Sequence, residues 1–378
     1  MANPLAVNVT QAQHNMDAPL VMAGAGHTHL VAMRCWAEKG LKVPENSVLI
    51  SPGTHAWYSG MMPGLLAGRF HVEQCAVDLR PLADAVGLHL VYGEVSAMNA
   101  DNQKLVLSNN QSITYQVLSI NTGSEPPVPK NDGSVPIEPA KPFANFFQRW
   151  QLWRQQPPGE IVVLGGGPAA FELVLALQWK LPTTGFRLIC AEELLPGQPV
   201  ELQRAAAALL REREIECLPD TFISNIRDGQ LWSGGKIVAH PDVVVLATGA
   251  APLPWYACSG LATDKRGFLR VDACLQSVNH PQVFISGDAC SHKGSQRSGV
   301  YAVRQGPTLA HNVMAFLNDR RLRKYQPQPR TLALLATADG GALLSYGKHS
   351  ISNTALRPLL GFWKDRLDLG FILRHERK

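Results

Sequence analysis

The chain has 378 residues, of which 46% are hydrophobic and 17% charged, a composition typical of a globular protein with room for two or three domains. Lys and Arg number 35 against 30 Asp and Glu, an excess of five positive charges. This excess suits anionic cofactors, and because it is not gathered into a basic run it argues against a nucleic-acid binder.

The seven cysteines have no paired spacing and their number is odd. Cysteines of this kind favour a reduced, cytoplasmic setting. Residues 1–16 lack the basic start and apolar core of a secretory signal. We therefore expect a cytoplasmic protein, and the C-terminal segment described below leaves open a peripheral position on the inner face of a membrane.

A first glycine-rich turn, Gly24-Ala25-Gly26, follows an apolar run at 19–23 that predicts a strand, and precedes a helical pattern. Gly24 and Gly26 are candidate cofactor contacts because such a turn lets the backbone approach a pyrophosphate at a helix N-terminus. The third glycine position holds His29. Together with His27 it offers an HxH metal pair, but no Cys, Asp or Glu follows at ligand spacing. The alternative is that His27, Thr28 and His29 line a phosphate or flavin pocket, the histidines held neutral by the helix end.

The apolar run at 47–50 predicts the second strand of this unit, and Ser51 follows it where an acidic residue usually binds the adenosine ribose. The expected carboxylate is therefore missing or displaced. Further candidate cofactor contacts in this half of the chain are Tyr58, Ser59, Gly60, Thr122 and Gly123.

Six prolines between 126 and 142 indicate a connector. Aromatic residues at 143, 146, 147, 150 and 153 then recur at helical spacing, which favours a core stripe over an aromatic ligand box.

A second glycine-rich turn follows the predicted buried strand 160–164. Gly165 permits the tight turn, Gly167 lets the backbone approach a pyrophosphate, and Ala170 allows close packing of helix on strand. Pro168 suits the first turn of the helix, which we expect to run to about Lys180. A membrane span over 161–179 is the alternative, but the glycines, a proline and an acidic residue interrupt it.

The predicted strand 187–190 is followed by Ala191, so this unit too lacks the usual ribose acid. Glu192 and Glu193 lie one and two positions late. They would favour NADH over NADPH if either turned inward, because a carboxylate repels a 2′-phosphate, whereas solvated loop acids are the commoner case.

Two more strand ends carry candidate residues. Thr248 and Gly249 follow the apolar run 243–246, and Gly287 and Asp288 follow 283–285. An Asp at the end of an apolar strand needs a partner, for which a sugar or ribityl hydroxyl is suitable. A predicted helix from about 299 to 316 contributes Ala302. This order of motifs is unlike that of a single-nucleotide dehydrogenase and is typical of a flavoprotein.

The motifs at 24–26, 165–172, 247–249 and 283–288 together resemble the two-dinucleotide flavoprotein superfamily of pyridine nucleotide-disulfide oxidoreductases, which includes type II NADH dehydrogenases and sulfide:quinone oxidoreductases. The segments 26–29, 51–64, 299–307 and 363–365 are most similar to the FAD/NAD(P)-binding module fused in some organisms to selenide, water dikinase. The resemblance implies an α/β fold with two Rossmann-like domains in a glutathione reductase-like arrangement. It also implies FAD in the first turn with Asp288 near the ribityl chain, a nicotinamide nucleotide in the second, and a catalytic Glu172 near the nicotinamide or flavin edge.

The chain departs from these families in ways that limit the chemistry. Segment 55–64 has no Cys-x4-Cys pair, and no cysteine lies between Cys75 and Cys190, which disfavours dithiol relay and the sulfide:quinone route. Val300 and Arg304 replace the two glutamines found near the quinone in type II dehydrogenases. Arg304 either stabilises the anionic reduced ring, as a second catalytic candidate, or is a solvated helix charge. Cys290 either approaches the flavin or is a small buried hydrophobe.

We predict a discontinuous FAD domain over 17–125 and 251–325, an NAD(P) domain over 156–250, and a C-terminal unit over 326–378. The last begins with a hairpin through 332–346. It ends with an amphipathic segment from Leu359 to Lys378 that binds a membrane, docks on the FAD domain or forms a dimer seam.

The leading hypothesis is an FAD-dependent NAD(P)H oxidoreductase, with NADH as the favoured donor, that passes electrons to a quinone or another small acceptor. One alternative is a reductase or oxidase of a sulfur or selenium species. Another is a flavin-binding sensor or partner subunit without turnover, suggested by the missing ribose acids and by His29.

Overall fold

A computed structural model describes residues 16–376. The segment assessed for a secretory signal, apart from Met16, and the basic residues Arg377 and Lys378 lie outside the described part. The helices are α1 His27–Glu38, α2 Met62–Leu66, α3 Leu79–Val86, α4 Phe143–Gln155, α5 Pro168–Lys180, α6 Val200–Glu212, α7 Gly299–Leu317 and α8 Arg357–His375.

The strands alternate with these helices in the α/β manner. They are β1 Met16–Ala23, β2 Val48–Ser51, β3 His55–Trp57, β4 Ala76–Asp78, β5 His89–Tyr92, β6 Val95–Asn99, β7 Lys104–Leu107, β8 Ser112–Ile120, β9 Lys130–Asn131, β10 Ile137–Pro139, β11 Glu160–Leu164, β12 Gly185–Ile189, β13 Glu216–Leu218, β14 Asn225–Arg227, β15 Gln230–Ser233, β16 Lys236–Ala239, β17 Val243–Leu246, β18 Leu269–Arg270, β19 Val283–Ile285, β20 Cys290–Ser291, β21 Leu332–Ala336, β22 Ala342–Tyr346 and β23 His349–Ile351.

Two mainly parallel sheets organise the molecule. The first has the order β5-β2-β1-β8-β7-β6, with β19 paired to β8, and the second has the order β10-β17-β11-β12-β13. Strand β1 is apolar on both faces, because Leu20 and Met22 enter the core that includes α1 and α7 while Val21 and Ala23 enter the opposite core. Burial on both faces is expected of a central parallel strand. The predicted α/β fold with two Rossmann-like units is confirmed.

The proline-rich connector contributes strands to the second half of the fold. Strand β10 pairs in parallel with β17, and β9 pairs with β14 in a small four-stranded sheet. Its aromatic stripe lies on α4, where Phe143, Phe146, Trp150 and Trp153 are buried as expected. The division into domains at 125, 156 and 250 stays a prediction.

The two chain crossings between the halves lie side by side. Glu125 and Ala251 form an antiparallel bridge in which each backbone N–H donates to the other residue's carbonyl, at 3.1 and 2.7 Å. The crossings therefore form one two-stranded connection.

The C-terminal unit is a three-stranded antiparallel sheet, β21-β22-β23, against which α8 packs. Gly361 allows this contact, since a Cβ there would lie 1.9 Å from the carbonyl oxygen of Gly340. Segment 161–179 forms a strand, a turn and a helix, and within residues 16–376 no helix is long and apolar enough to cross a membrane.

Candidate functional site

The first glycine turn, residues 24–26, is built against the end of β8. Gly24 has a φ of +89°, and a Cβ there would lie 2.6 Å from the carbonyl oxygen of Asn121. A Cβ on Gly26 would meet the Asn121 side chain at 2.4 Å. Helix α1 begins directly after the turn, so its first N–H groups face the position of a bound anion.

His29 lies inside the protein, and its expected part in lining a cofactor pocket stays a prediction. Its Nδ1 donates to the carbonyl oxygen of Gly24 at 2.5 Å and its Nε2 accepts from the hydroxyl of Ser119 at 2.7 Å. Its backbone N–H donates to Asn121 Oδ1. Burial lowers the pKa of His29 to about 4, so burial, rather than the helix end, keeps the ring neutral. The large side chain fits at the third glycine position because it fastens the turn to β8.

Thr28 and Ala302, two predicted cofactor contacts, meet each other. The Thr28 hydroxyl donates to the carbonyl oxygen of Ala302 at 2.9 Å and ties α1 to α7. Thr122 and Gly123 meet through Tyr256, whose hydroxyl lies 2.9 Å from Thr122 Oγ1 and donates to the Gly123 carbonyl at 2.8 Å. These side chains hold together the walls of the first cradle, the space around the glycine turn at residues 24–26. The second cradle is the corresponding space around the turn at residues 165–167.

Asp288 lies in the short 3-10 turn that follows β19, and its predicted place near the ribityl chain stays a prediction. Its Oδ2 accepts from Lys141 Nζ at 3.0 Å and from Ser124 Oγ at 3.4 Å. The charges of Asp288 and Lys141 both act on His27, whose pKa burial lowers to about 4. The preceding residue, Gly287, has a φ of +66°.

Several residues of the first cradle were missed by the sequence reasoning. Gln305 accepts the N–H of Gly287 at 2.7 Å, while Asn121 binds the N–H of His29. Asn121 follows a buried strand directly, which was a usable signal. Nothing in the local sequence of Lys141 or Tyr256 points to their contacts.

The loop after the second strand connects the first cradle to α8. The ring of Tyr58 lies 5.2 Å from that of His27 and stacks on Phe371 at 4.3 Å. Ser59 begins a short 3-10 turn, and the Gly60 carbonyl accepts from Lys364 Nζ at 3.2 Å. Ser51 lies buried at the end of β2.

The second glycine turn is the more open of the two. Gly165 has a φ of +144°, and a Cβ there would lie 2.4 Å from the Ala247 carbonyl. Ala170 packs directly beneath it. A Cβ on Gly167 or Gly249 would meet nothing within 4 Å, and the buried hydroxyl of Thr248 has no partner among the described residues. Pro168 begins α5, so an open anion site with a free hydroxyl beside it fits a dinucleotide.

Glu172 belongs to a buried charged cluster formed with Lys364 and Asp368. Lys364 Nζ lies 3.0 Å from Asp368 Oδ2 and 3.7 Å from Glu172 Oε1, which also accepts the Ala336 N–H at 2.7 Å. Burial raises the pKa of both carboxyls against the opposing pull of Lys364. The lysine pKa is raised, because the carboxylates outweigh its own burial. One cation thus faces two buried carboxyl groups whose pKa values are raised.

Tyr58 lies at the edge of this cluster, and burial together with Asp368 raises its pKa. Through Tyr58 and Gly60 the cluster touches the first cradle, and through Glu172 it touches the helix of the second. Arg304, the other predicted catalytic residue, lies on the exposed side of α7 outside the cluster.

Cys290 is buried beside Gln305, and burial raises its pKa to about 11, which keeps the thiol protonated. In residues 16–376 no group of three His, Cys, Asp or Glu side chains could hold a metal ion.

Two Rossmann-like units, each with a glycine turn at a helix start, define a pyridine nucleotide-dependent flavoprotein. The chain belongs to the pyridine nucleotide-disulphide oxidoreductase family, whose model matches residues 18–315. FAD and NAD(P)H are the cofactors of this family.

Among curated proteins, ferroptosis suppressor protein 1 of Taeniopygia guttata is 25% identical over 265 residues, covering 64% of this chain and 67% of that protein. The assimilatory nitrate reductase electron transfer subunit of Bacillus subtilis is 24% identical over 318 residues, covering 78% of this chain and 39% of that protein. Among solved structures, the sulfide:quinone oxidoreductase of Aquifex aeolicus matches with a TM-score of 0.75 at 16% identity, covering 95% of this chain and 91% of the other. That match concerns the fold.

Proposed function

We propose that this protein is an FAD-dependent NAD(P)H oxidoreductase that passes electrons to a quinone or another small acceptor without a dithiol. FAD would lie in the first cradle, with Asp288 at its sugar chain, and the nicotinamide nucleotide on the turn at Gly165 and Gly167. When bound, FAD takes up hydride and returns electrons. Chain residues bind, orient and supply protons.

The observation that carries the proposal is the buried cluster of Glu172, Lys364 and Asp368. Reducing a quinone to its hydroquinone takes two electrons and two protons, of which a hydride supplies both electrons and one proton. A second proton has to reach the acceptor in a place closed to water. Carboxyls with raised pKa values beside Tyr58, between the two cradles, suit that task.

The test separates the two half-reactions under anaerobic conditions. We expect Glu172→Gln to leave reduction of the flavin by NADH nearly unchanged, and to slow reoxidation by a short-chain quinone by about 10²-fold with a larger solvent deuterium effect. Glu138→Gln is the matched control, since Glu138 also pairs with a cation, Arg149, and burial also raises its pKa.

Three results would contradict the proposal. A protein that takes up no FAD would rule out a flavoprotein, and one whose bound flavin NAD(P)H does not reduce would favour a flavin-binding sensor or partner subunit. Equal reoxidation rates in the two variants would remove the cluster from the reaction. Turnover with sulfur or selenium compounds alone would favour the alternative substrate class and the kinship with the module fused to selenide, water dikinase.

We further propose NADH as the preferred donor. Glu192 and Glu193 are exposed in the loop after β12, where the adenosine ribose of a bound nucleotide would come near. A carboxylate there repels the 2′-phosphate of NADPH. Comparing kcat/KM for the two donors checks this, and equal values would contradict it.

The proposal includes peripheral contact with a membrane through α8. Six apolar side chains on this helix or just before it are 40–67% exposed: Leu356, Leu359, Phe362, Trp363, Leu367 and Leu373. Arg366 and Arg374 lie exposed beside them. An apolar stripe flanked by cations is typical of a helix that lies in a lipid interface, where quinones dissolve.

Sedimentation with anionic lipid vesicles tests this contact. We expect the wild type to bind the vesicles. The double variant Leu359→Glu, Phe362→Glu should fold as the wild type does and remain in solution. A stripe that instead covers a homodimer would show as dissociation of a dimer in the double variant, with no vesicle binding by the wild type.

A further inference from the structure

Lys141 is the one residue of the proline-rich connector whose charged group reaches Asp288 among the described contacts. It follows β10, which lies parallel to β17 in the second sheet, and the N–H of the residue before it, Ala140, donates to Leu246. Lys141 therefore starts from the carboxyl edge of the second sheet.

Asp288 lies at the carboxyl edge of the first sheet, directly after β19. The ion pair of Lys141 with Asp288 thus spans the gap between the two cradles. Hydride transfer requires the nicotinamide and the flavin ring to meet in that gap, with reacting atoms about 3–3.5 Å apart. FAD bound with its sugar chain at Asp288 would bring its ring close to the ammonium group anchored there.

We propose that Lys141 is the cation that stabilises the reduced flavin. NAD(P)H gives up a hydride, two electrons with one proton, and becomes NAD(P)⁺, while the flavin gains them and acquires a negative charge. A fixed positive charge beside the ring lowers the free energy of that anion more than that of the neutral oxidised ring. This role rests on the proposed function, because it requires FAD in the first cradle.

The ion pair of Lys141 with Asp288 has further partners at the first turn, unlike an isolated surface ion pair. Asp288 Oδ2 also accepts from Ser124, and the charges of Lys141 and Asp288 reach His27 at the first turn. The Lys141 side chain is 53% exposed while Asp288 is 17% exposed. The lysine is therefore accessible to a flavin bound beside Asp288.

A matched control lies nearby in the chain, between α4 and β10. Arg149 Nε lies 2.9 Å from Glu138 Oε1, with side-chain exposures of 55% and 17%. This pair has nearly the geometry and exposure of the Lys141 pair, but its acid is on β10, away from Asp288.

The test measures the affinity of the full chain for oxidised and for reduced FAD, and the flavin reduction potential by dye equilibration. We expect Lys141→Met to weaken the binding of reduced FAD about tenfold more than the binding of oxidised FAD. Such a difference lowers the reduction potential by about 30 mV for a two-electron couple. The variant should also weaken sulfite addition to the oxidised flavin by at least tenfold, because the adduct carries the same negative charge. Lys141→Arg should keep both the reduction potential and the sulfite affinity close to those of the wild type. Arg149→Met should change neither quantity.

Equal weakening of both flavin forms by Lys141→Met would overturn the inference, since Lys141 would then only anchor the cofactor. An unchanged potential and sulfite affinity would overturn it as well. Neither result touches the proposed function, which fails separately if the wild type binds no FAD or if NAD(P)H does not reduce it.

Discussion

Tyr58 and Phe371 stack with their ring centroids 4.3 Å apart and their planes 16° from parallel. One ring belongs to Tyr58, directly after β3, and the other to α8. The C-terminal helix thereby contributes a wall to the first cradle as well as a lysine to the charged cluster.

Removing that ring should loosen α8. We expect Phe371→Ala to lower the free energy of unfolding by about 3 kcal/mol, because a buried aromatic side chain and its stacking contact with Tyr58 are lost. Urea unfolding measures the change. Phe362→Ala on the exposed side of the same helix should cost less than about 0.5 kcal/mol, and a similar cost for both variants would contradict the assigned contact.

The charged cluster should make stability depend on pH. The pKa values of Glu172 and Asp368 are raised above their ordinary 4.5 and 3.8, so the folded chain keeps protons that the unfolded chain releases. The free energy of unfolding therefore falls as the pH rises above these values, until the raised folded pKa is passed. The positive charge of Lys364 stabilises the two carboxylates and so limits this loss of stability.

Lys364→Met should expose the effect. It leaves two buried carboxylates without their cation, which costs about 3–5 kcal/mol at pH 7 and less as the pH falls, because protonation removes their charge. Unfolding at several pH values checks this, with Lys348→Met on the exposed hairpin as control. A deficit that does not change with pH would argue against the cluster.

The hydrogen bonds of His29 should matter for FAD binding. We expect Ser119→Ala to cost about 1–3 kcal/mol, because it leaves a buried ring nitrogen without a partner, and to weaken FAD binding by loosening the turn. Ser345→Ala removes a buried hydroxyl from the C-terminal hairpin and should leave FAD affinity unchanged. Equal FAD affinities in the two variants would show that the turn does not depend on this bond.

The same histidine predicts a loss of stability in acid. Its pKa is lowered from 6.5 to about 4, so its contribution is complete above pH 6.5 and is lost as the pH falls toward 4, by up to about 3 kcal/mol. His29→Gln removes that titration, so the difference between wild type and variant should shrink between pH 7 and 4.5. His89→Gln, at an exposed position, serves as control, and a constant difference for His29→Gln would contradict the prediction.

The open space at Gly167 predicts a selective effect. Gly167→Ala should change the free energy of unfolding by less than about 0.5 kcal/mol, because its Cβ meets nothing, yet raise the Kd for NAD(P)H at least tenfold by blocking the pyrophosphate. Gly53→Ala is the control, because its Cβ would also meet nothing within 4 Å, and it should leave reduction of the flavin by NAD(P)H unchanged. Unchanged nucleotide affinity would place the ligand elsewhere.

Local pattern was enough to predict the framework of this site. The helix expected to run to Lys180 ends there, and the helix expected over 299–316 spans 299–317. Glycine turns and strand ends are local features, because backbone geometry and apolar periodicity specify them within a few residues.

The contacts within the site could not be predicted in the same way. Lys141 meets Asp288 across 147 residues and His29 meets Asn121 across 92. Such pairs form only when distant segments pack, and no local pattern records them. The burial of His29 shows the same limit, since its position in a glycine motif gave no sign that β8 would accept the ring.

The paired crossings at Glu125 and Ala251 restrict how the halves of the molecule can move. A twist that pulled the two segments apart would break both of their hydrogen bonds, whereas a bend across the pair keeps them. Opening and closing of the cleft between the two glycine turns should therefore follow a single axis, so that each closure returns the turns to the same alignment.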